Sequence, residues 1–391
     1  MAATAQILTD LGEGLARSGH EVSVVCSRRS YTGNSTALPA RDMRNGVRVC
    51  RLSAVGGGKR VIFARRIADF MSFYALAVLK CLSLPRQDVI VTLTTPPLIG
   101  MVGRMLQLAR GTRHVHWCMD LYPDIQLAHG MIRRGGLVHR LLSQCTRAFV
   151  RSADAVCVLG PHLRRRMLAY EPVAERLHIV PVWADGRKLK PVARHENWFS
   201  NKHELNGQFV VMYSGNIGAG SSFETILEVM RELRDHAGIQ FVFIGEGSQL
   251  GRLKSLAQEN SLNNVAFLPY QDREHLRYSL GAGDTHIVTV KPGLEGMKVP
   301  AKTYGIMAVA RPIIYLGNPK GEVYDVVTEH DIGRAVLEGD VPGLLAAVMF
   351  LRDNPAERLA MGRRARAVFE EEYDSMRVIE SFERILKEVV R

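Results

Sequence analysis

Short apolar runs rich in β-branched residues alternate with helical periods along nearly the whole chain. In the first half, residues 21–26, 47–52, 89–94, 114–119, 155–160 and 178–183 each predict a strand; in the second, 209–215, 239–245, 264–270, 285–290 and 312–317 do so. Apolar strands separated by helices indicate parallel sheets covered on both faces. Two such sets in succession predict an α/β chain of two Rossmann-like, doubly wound domains. The polar, basic stretch 184–207, with Pro191 and no apolar period, reads as the linker. The expected domains are 1–190 and 205–372, and the last helix, within 376–391, either caps the second or crosses back onto the first. The first helix (Ile7, Leu8, Leu11, Leu15, then Gly19) starts at once. The first domain is therefore expected without its opening strand, which either lies upstream or is dispensed with.

Composition sharpens this picture only in part. With 391 residues, 47% apolar and 23% charged, the chain suits two folded domains. A net charge of +12 favours an anionic partner: a nucleotide diphosphate, lipid headgroups or nucleic acid. Nucleic acid is the weakest of these, since no aromatic–basic module of the usual kinds is present. Cys26, Cys50, Cys81, Cys118, Cys145 and Cys157 contain no C-x-x-C pair and several lie in strand-like runs. Buried free thiols in a reducing cytosol fit this pattern better than a metal site or disulfide framework. No signal peptide is expected, since the first residues read directly into an amphipathic helix. The stretch 63–84 is apolar but broken by Arg65, Arg66, Asp69 and Lys80, which favours a crossover helix over a membrane span. Its other reading is a basic, aromatic face (Lys59, Arg60, Arg65, Arg66 beside Phe63, Phe70, Phe73, Tyr74) lying on the cytoplasmic leaflet.

Two segments carry the chemistry. At 210–224 an apolar strand enters a turn holding Gly215, Asn216, Gly218 and Gly220, and a helix follows. Ser221 and Glu224 have capping-box spacing, and glycines before a helix N-terminus let backbone N–H groups approach a phosphate. The spacing G-x-x-G-x-G is not that of a dinucleotide fingerprint, so NAD is not indicated. At 291–305, Gly293, Glu295, Gly296, Lys298, Pro300, Lys302, Tyr304 and Gly305 lead from a strand into a helix. Cations at a helix entry oppose the macrodipole unless an anion lies between. Gly245-Glu246-Gly247 closes a strand at the carboxyl edge of the same sheet, where doubly wound folds bind ligands. In the first half, Asp120 ends a strand and precedes Pro123, as a site residue or as a turn former. His114 and His116 share one strand face, as core or as site, and the run Arg164-Arg165-Arg166 suits a solvated helix face or a phospholipid contact.

With these residues placed, the chain resembles glycosyltransferase family 4 and its two-domain GT-B fold, in which two Rossmann-like domains face a central cleft. It looks most like bacterial enzymes of O-antigen, capsule and exopolysaccharide assembly of the fucosamine-transferase-like branch. The marks are Gly19-His20-Glu21-Val22, Thr95-Pro96-Pro97, Asp120-Leu121-Tyr122-Pro123-Asp124, Val182-Trp183-Ala184-Asp185, Tyr213-Ser214-Gly215-Asn216-Ile217-Gly218, Gly245-Glu246-Gly247, Val299-Pro300-Ala301-Lys302-Thr303-Tyr304-Gly305, Ala310-Arg311-Pro312 and Met361-Gly362-Arg363-Arg364-Ala365-Arg366. The resemblance implies a retaining hexosyltransferase without bound metal or tightly bound cofactor. Its co-substrate would be a nucleotide-sugar, a UDP-sugar above all, and its acceptor a lipid-linked saccharide. It would work in the cytoplasm, peripheral to the inner face of the plasma membrane, in lipopolysaccharide or exopolysaccharide synthesis. The final helix would cross back to the first, acceptor-binding domain. Catalytic roles would fall to Asp120, Lys302 and Glu295. The nucleotide-sugar would meet Gly215, Asn216, Gly218, Gly245, Glu246, Gly247, Leu268, Tyr270, Lys298, Lys302 and Tyr304. The family's usual pair of glutamates would fall at Met297 and Gly305 and is absent, leaving Glu295 nearby. The alternatives are a UDP-sugar epimerase of the same fold, or a truncated, non-catalytic chain that only binds nucleotide-sugar.

Overall fold

The computed structural model describes residues 3–28, 38–53 and 63–391. The chain divides into two compact units, Met1–Pro181 with Val378–Arg391, and Val182–Arg377.

The first unit contains β1 (Val22–Ser27), β2 (Arg41–Arg44), β3 (Val47–Leu52), β4 (Val89–Thr92), β5 (Arg113–Cys118), β6 (Ala155–Val158) and β7 (Leu177–Ile179). These form two sheets, β1-β3-β2 and β4-β5-β6-β7. Among the described residues no strand lies between β1 and β4, the place an opening strand holds in a doubly wound order. Both strands nevertheless serve one core, since Val25 and Ile90 pack on the cluster of Ala77, Val102 and Leu106. β2 was not expected: Arg-Asp-Met-Arg has no β-branched residue. Its strand form comes from the turn that follows. Asn45 and Gly46 both take positive φ, 47° and 84°, as a two-residue hairpin requires.

The helix Ala3–Arg17 buries Ile7, Leu11 and Leu15 along one face. At the other end of the chain, in the helix Ser375–Val390, Phe382 lies 5.0 Å from the Trp117 ring, and Glu383 accepts a hydrogen bond from His20 at 2.9 Å. In the helix Phe63–Ser83, Phe73 and Tyr74 face the core with Ala77 and Val78. Those two aromatics therefore do not form an outward leaflet-binding face. Lys59, Arg60 and the side chains of Phe63, Arg65 and Arg66 lie outside the described residues. Among the described residues no helix is long and apolar enough to cross a membrane. All six cysteines are free thiols, Cys50, Cys118 and Cys157 fully buried.

The second unit holds one parallel sheet ordered β10-β9-β8-β11-β12-β13, from β8 (Phe209–Ser214), β9 (Ile239–Ile244), β10 (Val265–Leu268), β11 (Thr285–Thr289), β12 (Ile313–Leu316) and β13 (Gly333–Val336). Val211 and Tyr213 face one helical layer; Val210 and Met212 face the other. β13, reading Gly-Arg-Ala-Val, escapes a periodicity search because it is short and half polar. The segment 184–207 is not a bare linker. Phe199 and Leu205 are buried under the sheet, and Arg194 pairs with Asp284 at 2.7 Å. Its few apolar residues are spaced irregularly because they plug the sheet from short turns rather than from one long helix. The strand order reverses between β8 and β11, and in doubly wound folds ligands settle at the carboxyl ends of such strands.

Candidate active site

Each loop at this switch point is held by backbone hydrogen bonds to its neighbours. Gly215 N–H donates to Ile244 O (2.8 Å), Ile217 N–H to Glu246 O (2.8 Å), and Lys291 N–H to Gly220 O (3.0 Å). Gln249 adds its side-chain amide, which donates to Gly218 O (2.9 Å) and Ser221 O (3.0 Å). Such close seams demand glycine. A Cβ on Gly245 would stand 1.9 Å from Gly215 O, and Gly245 has φ of 145°. Gly218 lies against the Asn216 side-chain amide, and Gly247 against Ile217 O.

The expected capping box does not form. The Ser221 hydroxyl pairs with Tyr213 OH at 2.9 Å, and the helix begins later, at Glu224, behind Phe223. The Glu224 carboxylate accepts from Phe223 N–H (3.1 Å) and Ser222 Oγ (3.0 Å) instead. Tyr213 OH also meets Asn216 O (2.9 Å), so this one phenol braces both ends of the glycine turn.

Lys302 opens the helix Lys302–Ala308, and its Nζ lies 3.3 Å from the Tyr213 ring centroid. The Nζ is buried and has no hydrogen-bond partner among the described residues. It would touch a Cβ placed on Gly215, at 3.4 Å. Burial, helped by the nearby charge of Lys298, holds its pKa well below the usual lysine range. Lys298 is exposed and reaches the same turn further along, its Nζ 3.1 Å from where a Cβ on Gly220 would lie. Two lysines therefore converge on a glycine turn, and the inner one lacks any acceptor. An anion would satisfy it and restore its charge.

The remaining predicted residues divide. Glu246 and Asn216 are exposed beside the turn. Tyr270 is half exposed, and its ring would meet a Cβ on Gly245 at 3.4 Å; Leu268 ends β10 on the same rim. Glu295 is buried, and its carboxylate accepts from Gly293 N–H (2.7 Å) and the Asn318 amide (2.8 Å). It thus shapes the loop that carries Lys298. Tyr304 departs from expectation. It lies about 200° around the helix from Lys302, buried against the Tyr373 ring at 4.5 Å. Its place is in the core, away from the turn. Tyr213, absent from the expected set, is the residue that sequence reasoning missed. The available signal was an inward-facing aromatic two positions before the first glycine.

In the first unit, Asp120 follows β5, its N–H donating to Thr94 Oγ1 at 3.2 Å. It borders a small recess lined also by Leu98, His116, Tyr122, Thr146 and Met167. His114 and His116 prove to be core residues sharing the Thr92 hydroxyl, at 2.8 and 3.1 Å. Burial lowers their pKa values to about 4 and about 3, so both are neutral at physiological pH. Among the described residues no group of acidic, His or Cys side chains could hold a metal ion.

Two α/β units, the second with its glycine loops at a switch point, define a nucleotide-binding type of fold, and likeness to known proteins makes it the GT-B type. The chain belongs to the glycosyltransferases in which a glycosyl transferase 4-like domain, here residues 3–183, precedes a glycosyl transferases group 1 domain, here residues 195–368. WbjE of Pseudomonas aeruginosa, named as a glycosyltransferase, is 26% identical over 275 residues, covering 70% of this chain and 68% of its own. WcaI of Escherichia coli K12, named as a colanic acid biosynthesis glycosyl transferase, is 26% identical over 314 residues, 77% of this chain and 76% of its own. The fold is shared with sucrose-phosphate synthase of Thermosynechococcus elongatus, at a TM-score of 0.78 and 17% identity over 98% of this chain and 92% of that one. It is also shared with HepE of Anabaena, solved with UDP and glucose, at 0.72 and 12% over 98% and 95%.

Proposed function

We propose that this glycosyltransferase moves a sugar, with retention, from a UDP-sugar to a lipid-linked saccharide at the inner face of the plasma membrane, in the assembly of a bacterial surface polysaccharide. The observation that carries the donor half is the buried, acceptor-less Lys302 Nζ against Gly215. In this reading the backbone around Gly215, Asn216 and Gly218 cradles the diphosphate. Gly245, Glu246, Gly247, Leu268 and Tyr270 flank the nucleoside, and Lys298 reaches the outer phosphate. As the bond between the anomeric carbon and the phosphate oxygen breaks, charge grows on the departing diphosphate, where a fixed ammonium stabilises it most. Glu295 orders the loop. Asp120, at the recess of the first unit, serves the acceptor. The structures of HepE with UDP and with UDP-glucose support the choice of nucleotide, and the name of WcaI supports the pathway.

The test offers labelled UDP- and GDP-sugars to the protein with membrane lipid acceptors, and again without acceptor. Transfer of one UDP-sugar label to lipid is expected, with Lys302→Ala slower by at least tenfold, about 1.4 kcal/mol. Conversion of donor in the absence of acceptor would point to an epimerase and overturn the transferase reading. An unchanged rate for Lys302→Ala would remove Lys302 from the mechanism.

A further inference from the structure

The helix Leu137–Ser152 presents three faces. Ser143, Thr146, Phe149 and Val150 are buried. At about 100° per residue, Leu137 and Leu141 fall on the opposite side, 85% and 61% exposed, while Val138, 56% exposed, lies in the first turn toward the Phe149 edge. Arg140, Arg147 and Arg151 form an exposed stripe between the two. Met131, 62% exposed, and exposed Arg133 and Arg134 precede the helix. The first helical turn contains no acidic residue. Arg133, Arg134 and Arg140 form no ion pair among the described residues, although burial raises the pKa of half-buried Asp124 and Arg134 lies near enough to lower it in part. Beside this helix stands Pro161–Tyr170, joined to it by Tyr170 OH and Ser143 Oγ at 2.8 Å, with Arg165 exposed.

Large apolar side chains exposed together need a reason, and core packing supplies none here. Apolar residues rimmed by arginines that no acid pairs complement a surface that is oily inside and anionic outside. We propose that residues Met131–Leu141 form the membrane-docking surface of this protein, with Leu137, Val138 and Leu141 entering the acyl boundary and Arg133, Arg134 and Arg140 meeting anionic headgroups. The same helix supplies Thr146 and Phe149, from its buried face, to the recess beside Asp120, so one element carries both the docking residues and part of the proposed acceptor side. This deepens the membrane contact proposed above and rests on that reading for its purpose, not for its measurement.

The experiment is co-sedimentation of the full chain with vesicles, without sugar nucleotide or acceptor, so that loss of transfer and loss of docking are read separately. The protein is expected to pellet with phosphatidylcholine–phosphatidylglycerol vesicles and not with phosphatidylcholine alone. The double variant Leu137→Asp, Leu141→Asp should stay in solution. The triple variant Arg133→Glu, Arg134→Glu, Arg140→Glu should partition roughly 100-fold less, at about 1 kcal/mol for each arginine. Circular dichroism tests that each variant is folded, and if the aspartate variant is not, the arginine variant decides. Failure of the wild type to pellet with anionic vesicles overturns the proposal. So does undiminished pelleting of a folded variant, or light scattering in which the leucine changes break a dimer while vesicle binding persists.

Discussion

The two units are built on the same α/β plan, yet their described strands pair differently. In the second, six strands pair without a break, and Phe209, Val211, Tyr213, Phe241 and Phe243 bury one face. In the first, the described strands form two sheets, β1-β3-β2 and β4-β5-β6-β7, and five of the six residues of β1 are only half buried. The proposed ligand site therefore rests on the unit whose described strands form one continuous sheet. All loops of the lysine site spring from the unbroken sheet, where each is hydrogen-bonded to the next.

The comparison can be broken most forcefully at a glycine. Gly245→Ala should cost about 3 kcal/mol or more, because the new Cβ overlaps the Gly215 carbonyl and the backbone is left-handed. Gly130→Ala in the first unit, at φ of 68° with nothing within 4 Å, should cost only about 1 kcal/mol. Urea denaturation of the two variants measures the contrast, and equal losses would erase it.

A smaller effect is expected at Tyr213. Tyr213→Leu removes the ring under Lys302 and should weaken UDP binding by about 1–2 kcal/mol, whereas Tyr213→Phe keeps the ring and loses only the brace on the turn. Calorimetric titration with UDP separates these. A Phe variant as weak as the Leu variant would assign the effect to the hydroxyl.

The smallest effect is a fraction of a proton. Burial depresses the Lys302 pKa, and a diphosphate bound beside it as proposed would raise it again. The complex then holds more protons than its components, so UDP affinity rises as pH falls between the unliganded and liganded pKa values. Titration in buffers of different ionisation heat should show proton uptake in the wild type and none from this group in Lys302→Met. The same linkage acts on folding with the opposite sense. A lysine with a depressed folded pKa binds fewer protons folded than unfolded, so its burial costs least stability at high pH.

Much of the fold was legible from alternation alone, because strands such as Phe209–Ser214 and Ile239–Ile244 are apolar throughout. What was hidden depended on contacts distant in sequence. Phe199 and Leu205 read as isolated apolar residues until the sheet they cover is in view. Ser221 carried a capping signature, but the Tyr213 phenol, eight residues earlier, claims its hydroxyl. At the site, Lys298 and Lys302 were visible through their conflict with the helix dipole, and Gly215 through its turn. Tyr304 was misplaced because a motif groups residues by adjacency, while a helix sends residues two apart to nearly opposite sides. Tyr213 was overlooked because an aromatic at a strand end looks like core, and here it is both core and platform.

The seams that join Gly215 to Ile244, Ile217 to Glu246 and Lys291 to Gly220 also set how a ligand arrives. Backbone already tied down has little left to order on contact. Association with UDP should therefore follow a single exponential whose rate climbs linearly with concentration, limited by encounter and steered by the two lysines. A plateau at high concentration would mean that something else in the chain must move first.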